Sequence, residues 1–236
     1  MEARFILLIL LITIACHGQR KNENALNMDT DWKTYKSNIE STLPIYFERL
    51  KEGADLEKIH QLESNLSIKL PEDFFEIYLE NNGEDSEWFV GGVMCGMRML
   101  SLEEIEKEWK SLKAIEDEFS FNSNWTGDIV PKGAIKRKSF DYKWIPIFSD
   151  NNGNYIGIDL SPDLEGQKGQ IINFGTDEHA HCVFANSLND FLGLINKQFE
   201  NGVVQKGIFQ NEEGQNLLFG LSVESHLIDD LKRMKK

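Results

Sequence analysis

The stretch KWIPIFSDNNGNYIGIDL, residues 143–160, decides the fold because it predicts two strands and the turn between them. In its first half, Trp144, Pro146 and Phe148 alternate with isoleucines, so both faces of the predicted strand are apolar. Residues 150–153, Asp-Asn-Asn-Gly, tolerate positive φ or bond their own backbone, and they predict a chain reversal. The segment therefore predicts a β-hairpin with at least one face in a hydrophobic core, and Trp144 is expected inside it.

The second strand of this hairpin alternates more regularly. Ile156, Ile158 and Leu160 share one face, while Gly157 on the other face lets a neighbouring group approach closely. In the first strand, Pro146 has no N–H to donate to a ladder. We therefore expect the first strand to lie at a sheet edge or to contain a bulge.

Four amphipathic helices are predicted, three before the hairpin and one after it. The first covers 55–68, the second begins at Pro71 and ends before Gly83, the third follows a capping box at Ser101, and the last is capped by Ser187. Their expected core residues are Leu56, Ile59, Leu62, Leu66, Phe74, Phe75, Tyr78, Leu79, Leu102, Ile105, Trp109, Leu112, Leu188, Phe191, Leu192 and Ile195.

Short strands dominate between the third and last of these helices. They are predicted at 144–149, 154–160, 169–174 and 181–185, with a shorter pair within 88–100. Helices come first, a run of strands follows, and a helix closes the set. This order predicts an α+β fold and not an alternating βαβ arrangement.

Four segments in this order resemble the SUKH superfamily, also called the Smi/Knr-like family. They are 70–83 (LPEDFFEIYLENNG), the hairpin at 143–160, 169–174 (GQIINF) and 184–192 (FANSLNDFL). The family contains bacterial immunity proteins against polymorphic toxins and a fungal regulator of cell-wall synthesis. The resemblance covers roughly residues 50–200, and it implies a mixed, mostly antiparallel sheet with helices packed on one side.

The chain carries a formal net charge of −14, and most of that charge is concentrated in one segment. Residues 72–118 hold 14 acidic and four basic residues, whereas lysines and an arginine cluster within 132–143. An acidic field repels phosphate, so nucleic acid is not an expected partner. The same field would speed the capture of a basic protein, although a simple solvated acidic surface gives the same pattern.

The amino terminus has the layout of a bacterial lipoprotein signal. An apolar run ends at Ala15 directly before Cys16, which we expect to be the lipid attachment site of a membrane-anchored envelope protein. This predicts a signal peptide at 1–15 and a flexible tether at 16–31; ordinary secretion and an uncleaved anchor are the alternatives. The SUKH-like domain would then cover 32–200. Residues 201–236 would form a carboxyl-terminal extension, with a short amphipathic helix over Leu227–Met234.

No catalytic, metal or cofactor site is predicted. His179 and His181 would point to one face of a strand, but two histidines at this spacing are a generic pattern, and an enzyme built on them is the least favoured hypothesis. Cys95 and Cys182 lie in hydrophobic contexts and are expected to be buried thiols. Asp159 matches an acidic position that recurs in the family, where a structural role such as capping a loop is expected.

The resemblance and the acidic charge together predict a non-catalytic protein that binds another protein. The first hypothesis is an envelope-anchored immunity protein that covers the basic active site of a toxin with an acidic concave face around 72–87 and 101–118. The alternative is a lipoprotein scaffold or regulator of cell-envelope assembly. The residues expected on the partner-binding surface are Glu84, Asp85, Glu87, Trp88, Glu103 and Glu106.

Overall fold

In the computed structural model, residues 31–85, 91–120, 125–212 and 216–235 are described, with the backbone alone at 216–218. They form the helices α1 Asp31–Thr42, α2 Pro44–Phe47, α3 Leu56–Leu66, α4 Glu72–Glu80, α5 Leu102–Phe119, α6 Leu188–Glu200, α7 Val203–Lys206 and α8 Leu227–Met234. The strands are β1 Arg98–Met99, β2 Asp128–Val130, β3 Trp144–Ser149, β4 Asn154–Asp159, β5 Gln170–Gly175, β6 Ala180–Ala185, β7 Phe209–Gln210 and β8 Asn216–Leu218.

Six of these strands form one sheet in the order β1-β3-β4-β5-β6-β2. All neighbours are antiparallel except β2, which runs parallel to β6, and β7 and β8 form a separate hairpin. The predicted α+β class and the mixed, mostly antiparallel sheet are confirmed. The four long strands match the predicted ranges to within a terminal residue or two. The shorter pair expected within 88–100 is described in part, as β1 and an isolated bridge between Met94 and Met97.

The turn between β3 and β4 is organised by one aspartate, as the Asp-Asn-Asn-Gly run predicts. The Asp150 carboxylate accepts hydrogen bonds from the backbone N–H groups of Asn152 at 2.7 Å and Asn154 at 3.0 Å. Asn151 and Gly153 both adopt positive φ, at 61° and 91°. These residue types tolerate that conformation, which is why the hairpin can be recognised from sequence.

Pro146 and Gly157 lie opposite each other, and both predictions about them are confirmed. The pairing of β3 with β4 shifts register between Pro146 and Phe148, which is the expected bulge. A Cβ atom on Gly157 would lie 2.2 Å from the carbonyl oxygen of Ile145. Only glycine allows the two strands to approach this closely.

Both faces of the central strands are covered. All six residues of β3 are buried, and successive side chains of a strand point to opposite faces. On β4, the Tyr155 O–H donates to Glu108 of α5 at 2.7 Å, and on β3 the Phe148 ring packs against Phe191 of α6 at 6.1 Å between centroids. Helical cover therefore extends beyond the single side that the family resemblance implied.

The predicted core of α3, α5 and α6 is confirmed apart from Leu56, but α4 differs in detail. Phe74 and Tyr78 are buried as expected, whereas Leu79 is 46% exposed and Phe75 is only partly buried. Ile77 takes the inward position instead. The helix begins at Glu72. An α-helix completes one turn every 3.6 residues, so residues 74, 77 and 78 lie on the same, inward face. Leu56, at the first position of α3, is half exposed.

The structure adds a helix at the start of the described region. α1 buries Trp32, Tyr35 and Ile39 and packs against α6, although no helix was predicted there. At the other end, α8 has the bounds predicted for a short amphipathic helix, and it packs against β6. Residues beyond 200 are therefore part of the packed structure, because Leu227, Ile228 and Leu231 are all buried.

Candidate functional site

The predicted acidic partner surface is described at four of its six residues. Asp85 and Glu103 are exposed, and Glu106 is half-buried. Glu87 and Trp88 lie outside the described residues. The surface that can be placed is therefore carried mainly by the first turns of α5.

Glu84 was expected on this surface, and that placement is wrong because its side chain is completely buried. Its Oε2 atom accepts a hydrogen bond from the Val93 N–H at 2.8 Å, and the Arg49 guanidinium lies 3.7 Å from Oε1. Burial raises the pKa of Glu84 to about 7, against the opposing charge of Arg49. Arg49 also donates to the carbonyls of Gly91 at 3.1 Å and Asp85 at 3.3 Å. The pair therefore fixes the chain around it and does not present a charge to a partner.

The exposed acidic face of α5 contains local ion pairs. Glu103 lies 3.8 Å from Lys58, and both side chains are exposed. Glu106 pairs with Lys110 one turn later and accepts a hydrogen bond from Asn65 of α3 at 3.0 Å. Exposed ion pairs contribute little to stability, so a basic partner could displace these lysines at small cost.

The acidic concave face expected around 72–87 and 101–118 stays a prediction, and its residues 86–87 lie outside the described residues. The end of α4 meets the start of α5: Asn82 accepts a hydrogen bond from the Leu102 N–H at 2.9 Å, and the Tyr78 O–H donates to the Leu100 carbonyl at 2.8 Å. α3 packs against both helices. The two acidic segments are thus joined at their ends, where Gly83, at a φ of 77°, packs against the backbone of Ser101.

His179 and His181 have opposite environments. His179 is exposed, whereas His181 is buried and its Nδ1 lies 2.7 Å from the Asn173 carbonyl oxygen. Its Nε2 atom is buried and has no hydrogen-bond partner among the described residues. Burial lowers the pKa of His181 to about 4, so the ring is neutral at physiological pH. Within the described ranges, no three His, Cys, Asp or Glu side chains are grouped in a way that could hold a metal ion.

The cysteines that the structure describes are buried thiols, as expected. Cys95 and Cys182 are not joined by a disulfide. Burial raises the pKa of the Cys95 thiol to about 12. A thiol in this environment is a poor nucleophile, because the thiolate is the reactive form.

Asp159 has the structural role that the sequence suggested. Its carboxylate accepts a hydrogen bond from the Ser161 N–H at 2.8 Å, which caps the loop after β4, and a second from Gln170 Nε2 at 2.9 Å. The same Gln170 nitrogen donates to the Ala134 carbonyl at 2.9 Å. Burial raises the pKa of Asp159 to about 6. The network joins three segments of the chain at the end of β4.

A cleft of about 610 Å³ opens beside the second half of α5, and the sequence did not predict it. Four separate segments line it: the last turns of α5, residues 125–128 leading into β2, residues 139–140 before β3, and the turn between β5 and β6. Its apolar side chains are Leu112, Ile115, Trp125 and Phe140, and its carboxylates are Glu116, Asp128 and Glu178. Because these residues are far apart in the chain, no local pattern could have indicated the cleft.

The membrane predictions fall on the amino terminus. The signal segment 1–15, Cys16 and the tether up to residue 30 lie outside the described residues. In the part of the chain that is described, no helix is both long and apolar enough to cross a membrane.

The described residues thus form an α+β domain built on a mixed six-stranded sheet. Residues 53–194, more than half of the chain, match the model of the SMI1 / KNR4 family (SUKH-1). The chain belongs to this family, and the resemblance seen in the sequence is confirmed.

The relatives that the chain matches are fungal proteins. A glucan synthesis regulatory protein of Neurospora crassa is 26% identical over 204 residues, covering 73% of this chain and 38% of the relative. A cell wall biosynthesis/cell cycle regulator of Schizosaccharomyces pombe is 32% identical over 160 residues, covering 64% and 32%. The cell wall assembly regulator of Saccharomyces cerevisiae is 37% identical over 73 residues, covering 31% and 14%. The chain thus covers 38% or less of the length of each of these relatives.

Proposed function

We propose that this protein is a non-catalytic regulator of cell-envelope assembly that acts by binding another protein. One observation carries the proposal: the chain matches the SMI1 / KNR4 family over its central domain, and the relatives it matches are named as regulators of glucan synthesis or cell-wall assembly. The envelope role is thus the alternative of the two functional hypotheses from sequence, and it now has the stronger support.

The binding mode is supported by the charge and exposure of α5. Glu103 is exposed and Glu106 is half-buried, and the lysines that pair with them, Lys58 and Lys110, are themselves exposed. A basic surface on a partner would be steered toward these carboxylates and would exchange the weak intramolecular pairs for intermolecular ones.

We further propose that Cys16 carries a lipid that holds the domain at the membrane surface, since the apolar run before it and the polar residues after it follow lipoprotein order. Cys16→Ser should abolish lipid attachment, so the variant and the wild type should differ in mass and in their distribution between the membrane and soluble fractions. Equal masses and equal fractions for the two proteins would refute this part of the proposal.

The second candidate is an immunity protein that covers the basic site of a toxin, which the family also contains. The acidic face of α5 suits a basic target in either case. Competition between cells separates the two: cells that lack an immunity protein are killed by neighbours that produce the toxin, whereas cells that lack an envelope regulator survive such contact.

The envelope role is tested by deleting the gene and measuring the incorporation of labelled sugar into envelope polymer. We expect incorporation to change by about twofold or more, and the full chain to restore it. As a matched pair, Glu103→Lys/Glu106→Lys should fail to restore it, whereas Lys107→Glu on an exposed position of the same helix should succeed. Unchanged incorporation in the deleted strain would contradict the proposal.

A further inference from the structure

The cleft beside α5 combines an apolar floor with an acidic rim. Its apolar side chains come from α5 (Leu112, Ile115), from Trp125 and from Phe140. Its ionisable side chains are three carboxylates and His179, and neither lysine nor arginine occurs among the described lining residues. A volume of about 610 Å³ lies within the ordinary range of ligand pockets and holds a few side chains.

The floor is held in place before any ligand arrives. The Trp125 ring stacks on the buried ring of His181 with 4.5 Å between centroids, and the Arg137 guanidinium lies 6.0 Å from the Trp125 centroid. Arg137 also donates to the Gly127 carbonyl at 2.8 Å. A binding site that is already ordered loses little conformational entropy on binding, so even a short ligand can bind measurably.

The rim carboxylates differ in how they are compensated. Glu178 pairs with Lys232 of α8 and accepts a hydrogen bond from Asn173, so its charge is used within the fold. Asp128 is exposed, and its backbone N–H is fixed by the His179 carbonyl at 3.0 Å. Glu116 lines the cleft on the α5 side and also interacts within the fold. A cation entering the cleft would therefore meet carboxylates on two of its walls.

We propose that this cleft binds a short segment of a partner protein in which lysine or arginine lies next to a leucine or an aromatic residue. The apolar side chain would pack against Ile115 and Trp125, and the cation would face Asp128 and Glu116. Nucleic acid does not fit such a site, because its phosphates would be repelled. The inference deepens the proposed function and rests on it, since it names the chemistry of the partner that the domain would recognise.

The test is a titration of the full chain into fluorescein-labelled octapeptides followed by fluorescence anisotropy. The probes are Ser-Gly-Ser-Arg-Phe-Ser-Gly-Ser and Ser-Gly-Ser-Lys-Leu-Ser-Gly-Ser, with matched peptides that carry Glu in place of Arg or Lys. We expect the basic peptides to bind with a submillimolar Kd, and the acidic ones to bind at least tenfold more weakly. Raising the salt concentration should weaken binding of the basic peptides.

Three variants locate the binding to the cleft. Asp128→Asn removes a charge at an exposed position and should weaken binding about threefold, and Ile115→Ala should weaken it by a similar factor by removing part of the floor. Glu200→Gln, a matched loss of charge at an exposed position at the end of α6 and outside the cleft, should leave the Kd unchanged. Unfolding midpoints of all three variants should confirm that they are folded. If Ile115→Ala does not fold, Asp128→Asn alone locates the binding.

Three results would overturn the inference: no binding of either basic peptide at millimolar protein, equal binding of the acidic peptides, or weakening by Glu200→Gln that equals the weakening by Asp128→Asn. The last result would place peptide binding outside the cleft and leave the proposed function intact. Failure of the proposed function would appear separately, as unchanged envelope polymer in the deleted strain.

Discussion

At the scale of single residues, Trp144 is at the centre of the aromatic core. It is fully buried, with the Phe174 ring at 5.5 Å and the His181 ring at 5.3 Å between centroids. Trp144→Ala should lower the free energy of unfolding by about 3–5 kcal/mol, because the cavity it leaves cannot be filled by its neighbours. Denaturant unfolding measures the loss, with Leu164→Ala at a 95% exposed position as the control. A loss below about 1 kcal/mol would place Trp144 outside the core.

Asp159 makes a prediction about pH. Its pKa in the folded protein is raised to about 6 by burial, above its ordinary value of 3.8. The folded state therefore binds more protons than the unfolded state between these values, and the stabilisation is full below the lower value and is lost as the pH rises through about 6. Between pH 5 and pH 7, the wild type should lose about 1 kcal/mol more stability than Asp159→Asn.

The measurement is the free energy of unfolding of both proteins at the two pH values. Glu84, whose pKa is also raised, is present in both proteins, so its contribution cancels in the comparison. Equal changes in the two proteins would show that Asp159 is already ionised at pH 5.

The contrast between Trp144 and Glu84 shows what a sequence reveals about single residues. Trp144 lies in an alternating apolar strand, and that local pattern is enough to predict burial. Glu84 lies in an acidic run that predicts exposure, but its burial depends on Arg49 and on the Val93 N–H. Neither of these partners can be assigned to Glu84 before the fold is known.

At the scale of elements, α5 is the best predicted helix because its start is encoded locally. Ser101 accepts a hydrogen bond from the Glu104 N–H, and the Glu104 carboxylate accepts one from the Ser101 N–H. Ser101→Ala should cost about 1 kcal/mol of stability. Ser111→Ala, in the exposed middle of the same helix, should be neutral or slightly stabilising, since alanine is the better helix former. Thermal unfolding of the two variants should differ in this direction, and equal midpoints would contradict the capping role.

The helix that the sequence did not predict is α1, although a signal is present. Trp32, Tyr35 and Ile39 recur at the spacing of one helical face, and all three are buried. The helix carries polar residues between them, and it begins at Asp31, where the polar run that was interpreted as a tether ends. Its stability comes from packing against α6, which begins more than 140 residues later in the sequence. A local sequence pattern cannot predict such a long-range contact.

For the molecule as a whole, the α+β class and the family could be predicted, but the strand order and the cleft could not. The hairpin at 143–160 and the ordered helices and strands define the α+β fold, because each has a local signal. The cleft forms where α5, the segment before β2 and the β5–β6 turn converge. β2 is placed there by its parallel pairing with β6. A strand of three residues is too short for its sequence pattern to predict this pairing.

Under the proposed function, the protein acts in envelope assembly by binding another protein through the face of α5. Its most direct test is site-specific photo-crosslinking in the native cell, with a benzoylphenylalanine at Glu103, which is exposed, and with the same group at the exposed Leu164 as the control. Crosslinked partners are identified by mass spectrometry, in cells where the labelled protein restores envelope polymer. We predict that position 103, and not position 164, crosslinks to a protein of envelope synthesis or assembly. The proposed function would be contradicted if the labelled protein restored envelope polymer but position 103 crosslinked to no partner that position 164 does not also crosslink.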